Sequence, residues 1–262
     1  RYTYDRALWV AGAELVEVES EADVRAVASK RTAMMFFQKP TQVGHDIEAD
    51  RYLALARELG IPSFCDAATT TPPASNVIDG VSEGFDLICY SGGKGLRGPY
   101  SAGLLLGRAD LVVFAREHAA PNDQSIGRGM KVSIEEYLGM LIALEAGLEA
   151  DEQEEAAGKR RRFETITNQL ADIPGVRTEV VASEGETGEL YLDVDWDQEL
   201  IPMSRADFIR ALKEHEPAVE VRLSKFSRGR VHLSATVLGE GEEQMVGAVM
   251  REVLQAAVNG SA

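Results

Sequence analysis

Cysteine is scarce: the 262 residues contain only Cys65 and Cys89, and both sit inside apolar runs. That excludes a disulfide-stapled secreted scaffold and points to buried thiols in a cytoplasmic chain. Basic charge is also in short supply, with 27 Lys and Arg against 43 Asp and Glu and a formal net charge of −16. Nucleic acid is bound largely through Lys and Arg that displace counterions from phosphates, so no nucleic-acid partner is expected. The one dense basic run, Lys159-Arg160-Arg161-Arg162, follows the acidic run Asp151-Glu152-Gln153-Glu154-Glu155. Glu155 and Lys159 are spaced i,i+4, which reads as a solvated helix face rather than an RNA patch. No apolar run approaches the roughly 20 residues of a membrane helix, so no membrane partner is expected. His45, His118, His215 and His232 show no metal-ligand spacing with each other or with cysteine, and no metal site is proposed. The local motifs of serine hydrolases are absent as well.

What remains is ordinary for a folded enzyme-sized chain: 45% apolar, 27% charged and 6% aromatic residues. The length allows one large domain or two of ordinary size. The first residues, RYTYDRALWV, lack the basic-then-apolar order of a signal peptide and an initiator Met. They pass almost at once into strand-like sequence, and an upstream segment is expected. Strands are expected at Ala13–Val18, Thr32–Gln38, Ser63–Asp66, Phe85–Tyr90 and Ser101–Leu106. Helices are expected at Glu21–Ser29, at Asp46–Leu59 with Asp46 as cap and Gly60 as stop, and at Ala109–His118, with only weak helical sequence over 69–84. Alternation of this kind with near-continuously apolar strands indicates an α/β fold, its mainly parallel sheet flanked by helices.

After a loop at Ala119–Gly129, a helical pattern runs from about Ser133 to Leu170, with a break expected at Gly158. Then the grammar changes. Arg177–Ala182, Glu189–Val194, Ala218–Leu223 and Arg230–Ser234 read as strands, and Ser204–Glu214 and Glu240–Val258 as helices. The expected division is a large domain over 1–150 and a smaller α+β domain with its connecting helix over 151–262.

Two strand ends carry the chemistry. At the first, the buried strand DLICY runs straight into Ser91-Gly92-Gly93-Lys94-Gly95. Ligands of open α/β sheets sit beyond the C-terminal ends of the strands. Glycines there let the backbone approach a ligand, and the Ser91 hydroxyl suits a phosphate oxygen. Lys94 is costly there as an idle charge but useful as an amine nucleophile. A nucleotide P-loop fails on spacing, because Gly95 follows Lys94 and Ile88 stands where the first glycine belongs. A plain surface turn remains an alternative on this segment alone. At the second, Ser63-Phe64-Cys65-Asp66-Ala67-Ala68, an Asp closes an apolar strand, a costly place unless a cation meets it. A protonated pyridine nitrogen would do so, and the small Ala68 leaves room for a flat ring; the alternative is that Asp66 merely caps the following turn.

SGGKGLRGP with the following SAGLLLGRADL resembles the internal-lysine segment of fold-type I pyridoxal phosphate enzymes. Within them it is most similar to the branch of bacterial selenocysteine synthase (L-seryl-tRNA selenium transferase) and D-glucosaminate-6-phosphate ammonia-lyase. The resemblance runs from about Ala11 to Leu144, through GAELVEVE, GIPSFCDAA and SIGRGMKVSIEEYLGMLIALE, and loosens in the C-terminal third. It implies pyridoxal 5'-phosphate as cofactor, with Lys94 as Schiff-base lysine and proton shuttle, Asp66 as partner of the ring nitrogen and Ser91 as phosphate ligand, beside Ala68 and Gly93. Arg128 and Lys131 match a basic pair that contacts anionic groups in this branch, and their charges suit that role independently. Arg97 is placed to face the cofactor or a neighbouring subunit; His45, after the strand end at Gln38–Pro40, reads as a surface-loop residue, with approach to the cofactor as the alternative. A small-domain Arg usually holds the substrate carboxylate in such enzymes; Arg222, Arg228 and Arg230 are available, and Arg230 is taken as the candidate. Tyr100 stands where the branch commonly has Gln, and Ile134 where a basic residue is frequent. The family's large domain also begins well before Arg1, with the turn that cradles phosphate.

The expected activity is a lyase that removes the α-proton of a small amino acid or amino sugar acid and eliminates a β-substituent, leaving keto acid and ammonia. Selenium transfer, aminotransfer, or a non-catalytic binding subunit are the alternatives. The resemblance implies a homodimer or higher homo-oligomer.

Overall fold

The computed structural model describes residues 5–39, 47–182, 189–224, 229–236 and 238–260. They form two compact units that divide between Ala150 and Asp151.

The first unit runs α1 (Asp5–Val10), α2 (Glu21–Val27), β1 (Met35–Gln38), α3 (Ala49–Leu59), β2 (Ser63–Asp66), α4 (Asn76–Ser82), β3 (Leu87–Ser91), β4 (Gly103–Gly107), α5 (Ala109–Glu117) and α6 (Ile134–Glu149). Its sheet has the order β1-β2-β3-β4, with β1, β2 and β3 parallel and β4 antiparallel to β3. Side chains alternate across a sheet. Met35, Phe37, Cys65, Ile88 and Tyr90 therefore share one face and are buried, packed with Tyr52, Leu55 and Ala56 of α3 and Val77 of α4. Phe36, Gln38, Phe64, Asp66, Cys89 and Ser91 fall on the opposite face. This alternation also keeps the two thiols free: Cys65 pairs in register with Ile88, so it points away from Cys89.

Gly60 stops α3 as expected. It takes the left-handed conformation at φ 66°, and its N–H meets the carbonyls of Ala56 and Arg57. The helix begins at Ala49, and its expected cap Asp46 lies outside the described residues. Ala13–Val18 is not a strand despite its alternation: Val16 is exposed, and no strand among the described residues pairs with it. Alternating sequence forms a strand only beside a ladder partner.

The second unit runs α7 (Glu152–Leu170), β5 (Val176–Ala182), β6 (Leu190–Trp196), α8 (Arg205–Glu214), β7 (Arg222–Leu223), β8 (Val231–Ser234) and α9 (Glu242–Val258). Its antiparallel sheet has the order β5-β6-β8-β7. Leu192 and Val194 pack on Phe163, Phe208, Met250 and Leu254 of the three helices.

The long helix breaks at Ala150–Asp151 and not at Gly158. Ala150 is extended, and the Asp151 side chain accepts from the N–H groups of Gln153 and Glu154 at 2.9 and 3.1 Å, so a new helix is capped there. Gly158 stays helical inside α7. The basic run on this helix is not a uniformly solvated face either. Lys159 is buried with its Nζ 2.8 Å from the buried Glu189 carboxylate, and Arg162 donates to the Ala235 carbonyl at 3.2 Å. Arg161 remains at the surface beside Glu154.

Candidate active site

The site begins where β2 and β3 end side by side. Asp66, the last residue of β2, stands in register with Cys89 of β3. Its Oδ1 accepts from the Ala68 N–H at 3.0 Å and lies 3.9 Å from the Cys89 sulfur. Asp66 thus supports the turn that follows it, as the capping alternative requires, while its half-buried carboxylate stays at the C-terminal edge of the sheet. Ser91 closes β3 on the same face two residues beyond Cys89.

The Gly92–Leu96 turn is held by backbone contacts. Gly92 N–H donates to the Ala102 carbonyl at 2.9 Å, Gly98 N–H to Gly92 at 2.8 Å and Arg97 N–H to Lys94 at 2.9 Å. Close packing explains two of its glycines. A β-carbon on Gly93 would stand 2.5 Å from the Tyr100 α-carbon, and one on Gly95 would overlap the Thr71 carbonyl. Gly93, expected beside the cofactor, is thus accounted for by chain packing. Arg97 is the only non-glycine with positive φ, 57°, among the described residues. Such a conformation costs about 1–2 kcal/mol, so the surrounding turn must enforce it. Lys94 projects from this turn and is exposed.

Electrostatics join the two strand ends. Burial, and then the Asp66 charge, push the Cys89 thiol up to about 12, while the Lys94 ammonium opposes the shift. Cys89 therefore lies within the fields of both expected site residues. Sequence reasoning placed this thiol only as a buried cysteine. The period of the strand held the missing signal, since a residue two before Ser91 shares its face.

Arg128 and Lys131 belong to the loop between α5 and α6, which an Ala119–Gly127 bridge closes. Arg128 is half-buried with its Nε 3.7 Å from Asp123, and Lys131 is exposed. Two residues on, Ser133 starts α6 with a capping box to Glu136, whose carboxylate also takes the Ser101 hydroxyl. Farther along α6, Met140 packs against Gly92 and Gly98. The start of α6 and the Lys94 turn are thereby fastened together.

Arg230 lies in the second unit. It pairs with the Glu179 carboxylate, sits 3.9 Å from Asp193, and has its guanidinium pKa raised by the Glu179 hydrogen bond. Arg222 is exposed on β7, whereas Arg228 and His45 lie outside the described residues. His232 faces Asp193 at 2.7 Å and His215 faces Glu252 at 3.3 Å. Among the described residues no group of three or more His, Cys, Asp and Glu is arranged to hold a metal ion.

A carboxylate acceptor at one strand end, a hydroxyl at the next and an amine on the adjoining glycine turn are side chains that would suit the ring nitrogen, phosphate and aldehyde of pyridoxal phosphate.

No family model matches the chain. It is 28% identical over 224 residues to the 5'-C-glycyluridine monooxygenase-decarboxylase of a Streptomyces species, covering 84% of this chain and 54% of that protein. It is 23% identical over 261 residues to the D-glucosaminate-6-phosphate ammonia lyase of Salmonella typhimurium, covering 97% of this chain and 67% of that protein. The solved structure of D-glucosaminate-6-phosphate ammonia-lyase matches with a TM-score of 0.76 at 23% identity, over 94% of this chain and 65% of that one. A structure of SPT with PLP matches with a TM-score of 0.50 at 14% identity, over 95% and 63% of the two chains. The chain spans about half the length of the Streptomyces relative. In fold, then, the chain is like the solved D-glucosaminate-6-phosphate ammonia-lyase, to which it is also similar in sequence.

Proposed function

We propose that the chain forms the lysine-bearing part of a pyridoxal phosphate-dependent lyase acting on an amino acid or amino sugar acid. The observation that carries this reading is the placement of Asp66 and the Lys94 turn at neighbouring ends of β2 and β3. Residues 1–150 form the cofactor-binding unit and 151–262 the smaller one.

Bound there, the cofactor supplies an electron sink for charge that develops at the substrate α-carbon. Asp66 holds a proton on the ring nitrogen through its carboxylate. Ser91 donates to the phosphate, and Ala68 and Gly93 leave space beside the ring. Lys94 Nζ would hold the cofactor at its aldehyde carbon and would serve as the base for the substrate α-proton. Arg128 and Lys131 attract an anionic substituent of the substrate; Arg230, paired with Glu179 in the second unit, is kept as the candidate for the substrate carboxylate. In elimination from a β-hydroxy substrate the hydroxyl departs as water and one water returns on hydrolysis, so the net products are keto acid and ammonia.

The names of the two relatives share an α-amino acid on a sugar-derived skeleton, an amino sugar acid in glucosaminate and a glycyl unit on a nucleoside in glycyluridine. D-glucosaminate 6-phosphate is therefore the first compound to test. Release of ammonia with a keto acid supports the lyase, whereas oxygen-dependent release of carbon dioxide from a glycyl substrate supports the decarboxylase reading that the Streptomyces similarity favours.

The two free thiols support a cytoplasmic setting. No helix of the described residues is long and apolar enough to cross a membrane. A homo-oligomer is supported by α6, where Ile134, Tyr137, Leu138, Leu141 and Ile142 are all more than half exposed. Sedimentation of wild type and Leu138→Asp checks this: a dimer or larger species that the variant dissociates is expected, and a monomeric wild type contradicts it.

A further inference from the structure

We propose that Cys89 is a positioning residue for Asp66, its S–H donating to Oδ1 beside the Ala68 N–H so that two donors fix the plane of the carboxylate. The inference rests on the reading of Asp66 as the partner of the ring nitrogen. Three observations support it. Asp66 and Cys89 are register partners on adjacent parallel strands, so both side chains leave the sheet on the same face. The sulfur lies 3.9 Å from Oδ1, within reach of a weak S–H donor. The backbone holds the pair together, because the Ala67 N–H donates to the Cys89 carbonyl at 3.0 Å just past Asp66. Burial and the neighbouring carboxylate also keep the thiol protonated, which it must be to donate.

A carboxylate that is to face a ring nitrogen must not rotate. The Ala68 N–H alone constrains Oδ1 in one direction, and the thiol adds a second from the neighbouring strand. Cys89 would touch neither cofactor nor substrate, and would act through Asp66.

Two measurements test this. The first is the infrared S–H stretching band of Cys89 in cofactor-free protein, identified by its loss in Cys89→Ala. In Asp66→Ala this band should move toward the position of a free thiol while the Cys65 band stays in place. The second is the dissociation constant for pyridoxal phosphate. Cys89→Ala should weaken binding about fivefold, the factor carried by one net hydrogen bond, and Cys89→Ser, which retains a donor, should restore it. A band unmoved in Asp66→Ala overturns the proposal. So does a Cys89→Ala protein that binds the cofactor as wild type does, or a Cys89→Ser protein as weak as Cys89→Ala. If wild type binds no pyridoxal phosphate, the functional reading fails instead, and the infrared band still decides whether the thiol holds Asp66.

Discussion

Gly95 packs so tightly against Thr71 that a β-carbon on Gly95 would overlap the Thr71 carbonyl. The turn that presents Lys94 is therefore seated on the segment that follows β2, the strand that ends in Asp66. The two strand ends are joined by contact as well as by register.

That contact makes Gly95→Ala informative. The added methyl must push the Lys94 turn away from Thr71, at a cost of about 1–3 kcal/mol in stability. Urea unfolding of the variant should show a loss of that size, together with weaker retention of pyridoxal phosphate. A variant as stable as wild type with unchanged retention would mean that the turn yields freely and that its seat on Thr71 does not position Lys94.

Lys159 and Glu189 form a buried ion pair at 2.8 Å, with each side chain about nine-tenths buried. Removing one partner strands a charge, so Lys159→Ala should lose about 3–5 kcal/mol. The double variant Lys159→Met with Glu189→Leu should recover most of it, because no buried charge is then left alone. Chemical unfolding of the three proteins checks this, and equal losses in the single and double variants would contradict it.

Asp86 ties the start of β2 to the end of β4 by accepting from the Ser63 N–H at 2.8 Å and from Arg108 at 3.0 Å. Burial alone would raise its pKa, but the Ser63 N–H, Arg108 and the Ser63 hydroxyl outweigh it and hold the carboxyl below its ordinary range. With a lowered folded pKa, its contribution to stability is complete above the ordinary carboxylate pKa and is lost as pH falls through the folded value. Asp86→Asn should therefore destabilise near neutral pH, and the difference from wild type should shrink in acid. Urea midpoints at about pH 7 and about pH 3 measure this, and a pH-independent difference would contradict it.

Much of this was legible in the chain. Ser63–Asp66 is a strand with the expected bounds, because an apolar run lies between Gly60-Ile61-Pro62 and a turn. The α/β order of the first unit follows from strands and helices that alternate over short connections. The failures were those in which a distant partner decides. Ala13–Val18 alternates like a strand, yet alternation says nothing about whether a neighbour is there to pair. Lys159 reads as a surface residue because a local i,i+4 partner precedes it, whereas its buried partner, Glu189, lies 30 residues away. At the site, Asp66, Ser91 and Lys94 were singled out because strand ends and glycines mark such places, and the structure sets the ends of β2 and β3 side by side. Gly93 was marked as a cofactor contact, and its close approach to the Tyr100 backbone is a second reason, invisible in the sequence, for glycine there. Arg230 was chosen for its charge, and the structure places it on Glu179.

The most direct test of the account is borohydride reduction of the freshly purified protein in the presence of pyridoxal phosphate, followed by peptide mass mapping. The account predicts a single phosphopyridoxyl adduct on Lys94, absent in Lys94→Ala. An adduct on another lysine, or none at all, would contradict it.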